Sequence, residues 1–139
     1  MDNRVVNQEY AALAAKIIEE EEILTDIANS QATIVYLSSD NAKTSKGKIV
    51  GGECEKVSEK YKWGIPADFT ITVFEPNIIG FTEQQIRTLL FHELLHVGIE
   101  FKEDGSEKYF IRPHDYEDFK IITDRYGTDW SIPDPTAIS

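Results

Sequence analysis

The feature that most constrains the fold of this chain is an apolar helix predicted to begin at Glu83. Thr82 followed by Gln85 fits a capping box, and the flanking apolar residues fit the hydrophobic staple that often accompanies it. The segment RTLLFHELLHVGIEF then continues the helical periodicity to Phe101. Apolar side chains lie on both flanks of this helix, so other elements must cover it. The sequence therefore predicts a buried helix around which the rest of the chain folds.

The remaining sequence predicts an α+β fold, with a mixed or antiparallel sheet packed against the buried helix. The stretch Glu19 to Glu22 crosses an amphipathic first helix, and we expect these four glutamates to lie in solvent. The predicted elements are a helix over 7–29, strands over 32–38, 48–54 and 69–74, a helical turn over 55–62, a strand and turn over 109–113, and a final helix over 115–127 that closes at Gly127.

Length and composition indicate one domain. The chain has 139 residues, 41% of them hydrophobic, which is enough for one modest core. We divide it into an N-terminal helix (1–30), a core (31–127) and a tail (128–139).

Charge, cysteine content and hydropathy exclude several classes of function. A net charge of −11 disfavours binding to nucleic acid or anionic membranes. The single cysteine, Cys54, excludes an internal disulfide and a thiolate zinc site, and is expected to be an inert buried thiol. We find neither a signal peptide nor a membrane span, and expect a cytoplasmic protein.

The predicted helix carries the motif H-E-L-L-H, from His92 to His96. Two histidines four residues apart project from one face of a helix, so both imidazoles can reach one tetrahedral Zn²⁺. Glu93 lies between them, where it can reach a water on the metal without replacing that water. The motif therefore predicts His92 and His96 as metal ligands and Glu93 as a general base.

A third ligand is needed, because two protein ligands hold zinc weakly and three leave one position open for water. His114 is the last histidine of the chain, and we favour it because all three histidines then have a role. The alternatives are carboxylates: Glu100 on the predicted helix, and Asp115, Glu117 and Asp118 beside His114.

Several neighbours are candidates for supporting roles. Asp118 or Glu100 can orient a ligand imidazole. Tyr109, Tyr116 and Arg112 are close in sequence to His114 and are candidates for stabilising an oxyanion.

The motif HELLH, the downstream PHDYEDF and the preceding EKYKWGIPADFTITVFEPN together resemble the metallopeptidases encoded by phages and prophages. The resemblance runs from about residue 48 to residue 130, and more distantly the arrangement is similar to the SprT-like minimal zincins. It implies a small zincin-like fold, with His92, His96 and His114 as ligands and Glu93 as base, in the cytoplasm of a bacterial or phage-infected cell. It also implies that the strand before the catalytic helix is the sheet edge that pairs with an extended substrate. That strand comprises Phe69, Thr70, Ile71, Thr72, Val73 and Phe74.

The leading hypothesis is a zinc-dependent hydrolase that cleaves a peptide or protein substrate. A second hypothesis keeps the zinc but makes the domain an acidic binding module of a phage or mobile element, without peptidase activity. A third is a helical core whose histidines never meet a metal.

Overall fold

The computed structural model of the protein describes residues 3–45, 47–59, 64, 66–114, 119–127 and 130, and it confirms the α+β class. Within these residues the helices are α1 (Gln8–Glu20), α2 (Thr25–Asn29), α3 (Glu83–Leu95) and α4 (Lys120–Tyr126), with 3-10 turns at Glu22–Leu24 and Glu75–Ile78. The strands are β1 (Arg4–Val6), β2 (Ile34–Ser39), β3 (Thr44–Ser45), β4 (Lys48–Ile49), β5 (Gly52–Lys56), β6 (Phe69–Phe74), β7 (Val97–Phe101) and β8 (Glu107–Ile111).

The main sheet has the strand order β1-β2-β6-β5. Strands β2 and β6 are parallel, and the other two pairs are antiparallel. The prediction that β6 is a half-buried edge strand is wrong, because β2 and β5 pair with it from both sides. Its side chains are buried on both faces, as Ile71 and Thr72 illustrate. The edge strand next to β6 is β5.

The core lies between the sheet and the helices. Ile71 of β6, Ile17 of α1 and Leu90 of α3 belong to one cluster of buried residues, and each of them is fully buried. Full burial of an aliphatic side chain contributes roughly 1.5–3 kcal/mol. This cluster packs α3 against both α1 and the sheet, as predicted for a helix that is apolar on both flanks.

The first helix does not run unbroken from residue 7 to residue 29 as predicted. It ends at Glu20, because Glu21 has an extended backbone (φ −102°, ψ 109°), and a 3-10 turn and α2 follow. The prediction that all four glutamates lie in solvent is also wrong for Glu21. Its side chain is only 12% exposed and forms ion pairs with Arg87 and Arg125.

Helix α3 is shorter than predicted, because the chain leaves the helix at His96 and Val97–Phe101 forms a strand. This strand pairs with β8 in antiparallel register, with Gly98 opposite Phe110. The ring of Phe110 lies over Gly98 so closely that an added Cβ would clash with the ring carbons. The β-branched residues Val97 and Ile99 are buried on the other face of this hairpin.

The segment predicted as one strand over 48–54 is divided into β4 and β5. The Nδ2 atom of Asn77 donates hydrogen bonds to the carbonyls of Lys43 and Val50, both at 2.7 Å, and so ties this segment to the end of β6. The predicted helical turn over 55–62 is wrong at its start, because Glu55 and Lys56 belong to β5. Residues 60–63 lie outside the described residues.

At the C-terminal end, β8 overlaps the strand and turn predicted over 109–113 but begins earlier, at Glu107, and α4 ends before Gly127 as predicted. Gly127 has a positive φ of 85°, which a glycine C-cap adopts without strain. The predicted final helix does not run unbroken over 115–127, because Phe119 has an extended backbone (φ −77°, ψ 136°) and α4 begins at Lys120. His114 therefore precedes α4, and residues 115–118 lie outside the described residues. The tail over 131–139 lies outside the described residues. In the part of the chain that the structure describes, no helix is long and apolar enough to span a membrane.

Candidate metal centre

Helix α3 positions His92 and Glu93, and its start is fixed by the predicted capping box. The Gln85 backbone N–H donates to Thr82 Oγ1 at 3.1 Å, and the Thr82 N–H donates to Gln85 Oε1 at 2.8 Å. His96 is the C-cap of the helix and keeps a helical backbone (φ −73°, ψ −20°). The side chains of His92 and His96 therefore remain one turn apart on the same face.

The structure brings together His92, His96 and His114. One ring nitrogen of each histidine lies within 4.8 Å of those of the other two. The Nε2 atoms of His92 and His114 are 2.9 Å apart. The ring centroids are separated by 5.2 Å for His92 and His96, and by 4.4 Å for His96 and His114. Three imidazoles converging in this way are a suitable donor set for one divalent metal ion.

Phe119 supports this cluster, and sequence reasoning missed it. Its ring is buried, and its centroid lies 5.3 Å, 4.9 Å and 5.1 Å from those of His92, His96 and His114. The ring thus restricts how all three imidazoles can rotate. The sequence signal that could have identified Phe119 was its position at the end of the PHDYEDF segment, which contains His114.

Trp130 is a second neighbour of the cluster. Its ring centroid lies 5.9 Å from that of His92. Gln85 donates from Nε2 to the Trp130 carbonyl at 3.0 Å, so the cap of α3 also holds the chain beside the histidines.

Two hydrogen bonds join His96 to Arg112. The Nδ1 atom of His96 lies 2.7 Å from the Arg112 carbonyl oxygen, and the Arg112 backbone N–H donates to the His96 carbonyl at 2.7 Å. A carbonyl only accepts, so Nδ1 carries the proton and Nε2 presents a lone pair. The backbone of Arg112, rather than its guanidinium, contacts the predicted ligand.

Glu93 is buried beside the cluster, with its side chain 5% exposed and Oε2 4.0 Å from Nε2 of His92. Gly52 of β5 lies against it, since a Cβ on Gly52 would be 3.4 Å from Glu93 Oε2. Burial, with the nearby charge of Glu93, raises the pKa of the Cys54 thiol. Cys54 is therefore a protonated thiol at neutral pH, in keeping with the inert role predicted for it.

Those of the other predicted residues that the structure describes do not join this cluster. Glu100 lies on β7 and is exposed, away from the helix face to which the sequence assigned it. Tyr109 donates its hydroxyl to Glu107 at 2.7 Å, so this phenol is committed elsewhere. The guanidinium of Arg112 donates to the Leu95 carbonyl at 3.3 Å. Asp115, Tyr116, Glu117 and Asp118 lie outside the described residues.

The fold and the histidine cluster define an α+β domain with a site suited to a metal ion. The family model described as "Putative phage metallopeptidase" matches residues 3–133, and the chain belongs to this family. The match begins well before residue 48, so it includes the N-terminal helix that the sequence resemblance left out. No curated protein and no solved structure matches the chain.

Proposed function

We propose that the protein is a zinc-dependent peptidase in which His92, His96 and His114 hold the metal and Glu93 is the general base. The observation that carries the proposal is the convergence of three imidazole nitrogens within 4.8 Å beside a buried carboxylate. Membership of a metallopeptidase family supports the same class of reaction and a peptide or protein substrate.

The donor set suits a catalytic rather than a structural zinc. Among the described residues, the cluster contains three histidines and no fourth donor. Structural zinc sites close all four positions with protein ligands, whereas catalytic sites keep one open. When bound here, Zn²⁺ would polarise the scissile carbonyl and lower the pKa of water to about 7.

Glu93 is placed to move protons. Its Oε2 is 4.0 Å from a ligand nitrogen of His92, so the carboxylate lies beside the cluster. In the proposed reaction Glu93 takes a proton from the attacking water and returns it to the leaving amine. Because its side chain is almost fully buried, bulk water does not compete for that proton.

The geometry favours β5, not β6, as the strand that pairs with the substrate. The Phe74 N–H donates to the Gly51 carbonyl, and the Val57 N–H donates to the Asp68 carbonyl, so the odd-numbered residues of this segment face β6. Antiparallel pairing alternates, and the backbone N–H and C=O groups of Gly52 and Cys54 therefore point away from β6. An extended peptide that pairs with them would pass beside Glu93.

The test is cleavage of a mixed peptide pool by zinc-loaded protein, followed by mass spectrometry, with chelator-treated protein alongside. We expect Glu93→Gln to abolish cleavage while zinc content stays at one ion per chain. Glu100→Gln is the matched control, because Glu100 is exposed on β7, and it should cleave normally. Equal cleavage rates for Glu93→Gln and the wild type would exclude this mechanism. No cleavage by zinc-loaded wild type would favour the binding-module hypothesis.

A further inference from the structure

A cavity of about 470 Å³ opens beside the histidine cluster. Among the described residues, five apolar side chains line it, from the turn after α1, the end of α3, and the segment from β8 to α4. Arg112 is the single cation among those described lining residues. The apolar lining residues are Ile23, Leu95, Pro113, Phe119 and Ile121.

The cavity and the proposed metal site share residues. His114 lines the cavity and also contributes a ring nitrogen to the cluster. Phe119 forms part of the cavity wall, and its ring touches all three imidazoles. A group bound in this cavity would therefore adjoin any substrate held at the cluster.

The Arg112 guanidinium is unusual in a chain with 25 acidic residues, because none of those within the described part of the chain pairs with it. Its one hydrogen bond there is to the Leu95 carbonyl, at 3.3 Å. A guanidinium has five N–H donors in a planar fork that matches a carboxylate. Donors therefore remain for a ligand in the cavity.

We propose that this cavity is a specificity pocket for a substrate residue that carries a carboxylate. The apolar walls contact the aliphatic part of that residue, and Arg112 binds its carboxylate through charge-assisted hydrogen bonds. The carboxylate is either an acidic side chain or the C-terminus of the peptide. This inference rests on the proposed function, because it takes the cluster as the place where the peptide is held.

Peptide binding to the zinc-loaded Glu93→Gln protein tests the pocket without turnover. The probes are acetyl-Ala-Ala-Leu as the free acid and as the amide, and acetyl-Ala-Glu-Ala amide against its Gln counterpart, with calorimetry as the readout. We expect one carboxylate peptide to bind roughly tenfold or more tightly than its neutral partner, because a hydrogen bond to a charged group contributes about 1.5–3 kcal/mol. Which pair shows the difference identifies the source of the carboxylate.

Arg112→Gln in the same background should remove this preference. Lys108→Gln is the matched control, since it removes a positive charge from an exposed position of β8, the strand that ends just before Arg112, and should leave the preference intact. Ile23→Glu places a carboxylate in the wall of the cavity, where it repels the carboxylate of a bound peptide. This variant should therefore weaken the binding of carboxylate peptides more than that of neutral peptides.

A preference that survives Arg112→Gln but disappears from chelator-treated protein would mean that the metal binds the carboxylate, and would overturn the pocket. Equal binding of acids and neutral peptides would overturn it as well. Both results leave the proposed function standing, because that proposal fails on cleavage by the wild type and not on peptide preference.

Discussion

His96 and Arg112 are joined by a 2.7 Å contact between the Nδ1 atom of one and the carbonyl oxygen of the other. The reciprocal bond from the Arg112 N–H to the His96 carbonyl, also 2.7 Å, holds the end of α3 to the end of β8. Together these bonds orient the imidazole that ends the HELLH motif. A metal-binding histidine commonly has such a partner on its other nitrogen, which fixes the tautomer.

The first prediction concerns that tautomer. In metal-free protein near pH 7.5, neutral His96 should carry its proton on Nδ1, because the Arg112 carbonyl can only accept. Long-range ¹⁵N–¹H correlation spectra of the imidazoles measure this directly. A signal showing neutral His96 with its proton on Nε2 would contradict the orientation described here.

The second prediction separates the candidate third ligands. His114→Ala should weaken zinc binding by more than the tenfold to hundredfold that loss of an orienting partner causes, because a ligand is removed outright. Glu100→Gln should leave the affinity unchanged, since Glu100 is exposed on β7. Competition with a coloured zinc chelator measures both. Weak binding by Glu100→Gln together with normal binding by His114→Ala would reverse the assignment.

Much of α3 and its chemistry was predictable from sequence, because its signals are local. The Thr82 capping box, the burial of the helix and the i, i+4 relation of His92 and His96 all depend on neighbours within a few residues. The end of the helix was not predictable in this way. Residues 97–101 fit the helical period, yet they form β7 because β8 pairs with them, from Phe101 opposite Glu107 to Val97 opposite Ile111.

The position of β6 in the sheet could likewise not be predicted from the sequence. Its alternating sequence, from Phe69 to Phe74, is typical of a strand with one buried face and one solvent-exposed face. Whether β6 lies at an edge depends on the strands that pair with it, β2 and β5. β2 is distant in sequence, and the sequence pattern of β5 does not clearly indicate a strand. Gly51 and Gly52 interrupted the pattern that would have identified β5 as the edge strand.

The third prediction concerns Glu21, which links α1 to α3 and α4. Its carboxylate accepts from Arg87 at 3.1 Å and from Arg125 at 3.0 Å. Replacing it with Gln should lower the free energy of unfolding by about 1–2 kcal/mol at pH 7, because two charge-assisted hydrogen bonds at a partly screened site are lost. Urea unfolding measures the change. Glu20→Gln is the control, because Glu20 is 56% exposed and, among the described residues, pairs with Arg87 alone, so its effect should stay below about 0.5 kcal/mol.

The same residue gives a fourth prediction, on pH. Partial burial by itself raises the pKa of the Glu21 carboxyl, but the hydrogen bonds from Arg125 and Arg87 together hold that pKa below its usual range. A lowered pKa in the folded state means that the stabilisation is present above the unfolded pKa of about 4.3 and is lost as the pH falls through the folded value. The stability gap between wild type and Glu21→Gln should therefore narrow between pH 5 and pH 3, in urea melts at each pH. A gap of constant size would contradict this linkage.

The last prediction uses Gly52 to probe the position of Glu93. A Cβ at residue 52 would lie 3.0 Å from the Thr72 carbonyl and 3.4 Å from Cγ and Oε2 of Glu93. The β-sheet backbone cannot easily yield, so Gly52→Ala should displace the carboxylate and lower kcat by about tenfold or more, as misplacement of a base near the reacting atoms does. Zinc affinity should stay the same, because Glu93 is not a ligand. Gly64→Ala is the matched control, since a Cβ there meets no atom within 4 Å. Steady-state kinetics and zinc titration of the two variants distinguish the outcomes. A loss of zinc from Gly52→Ala would mean that Gly52 helps to position the histidines. An unchanged kcat would show that the position of the Glu93 carboxylate does not depend on the lack of a side chain at residue 52.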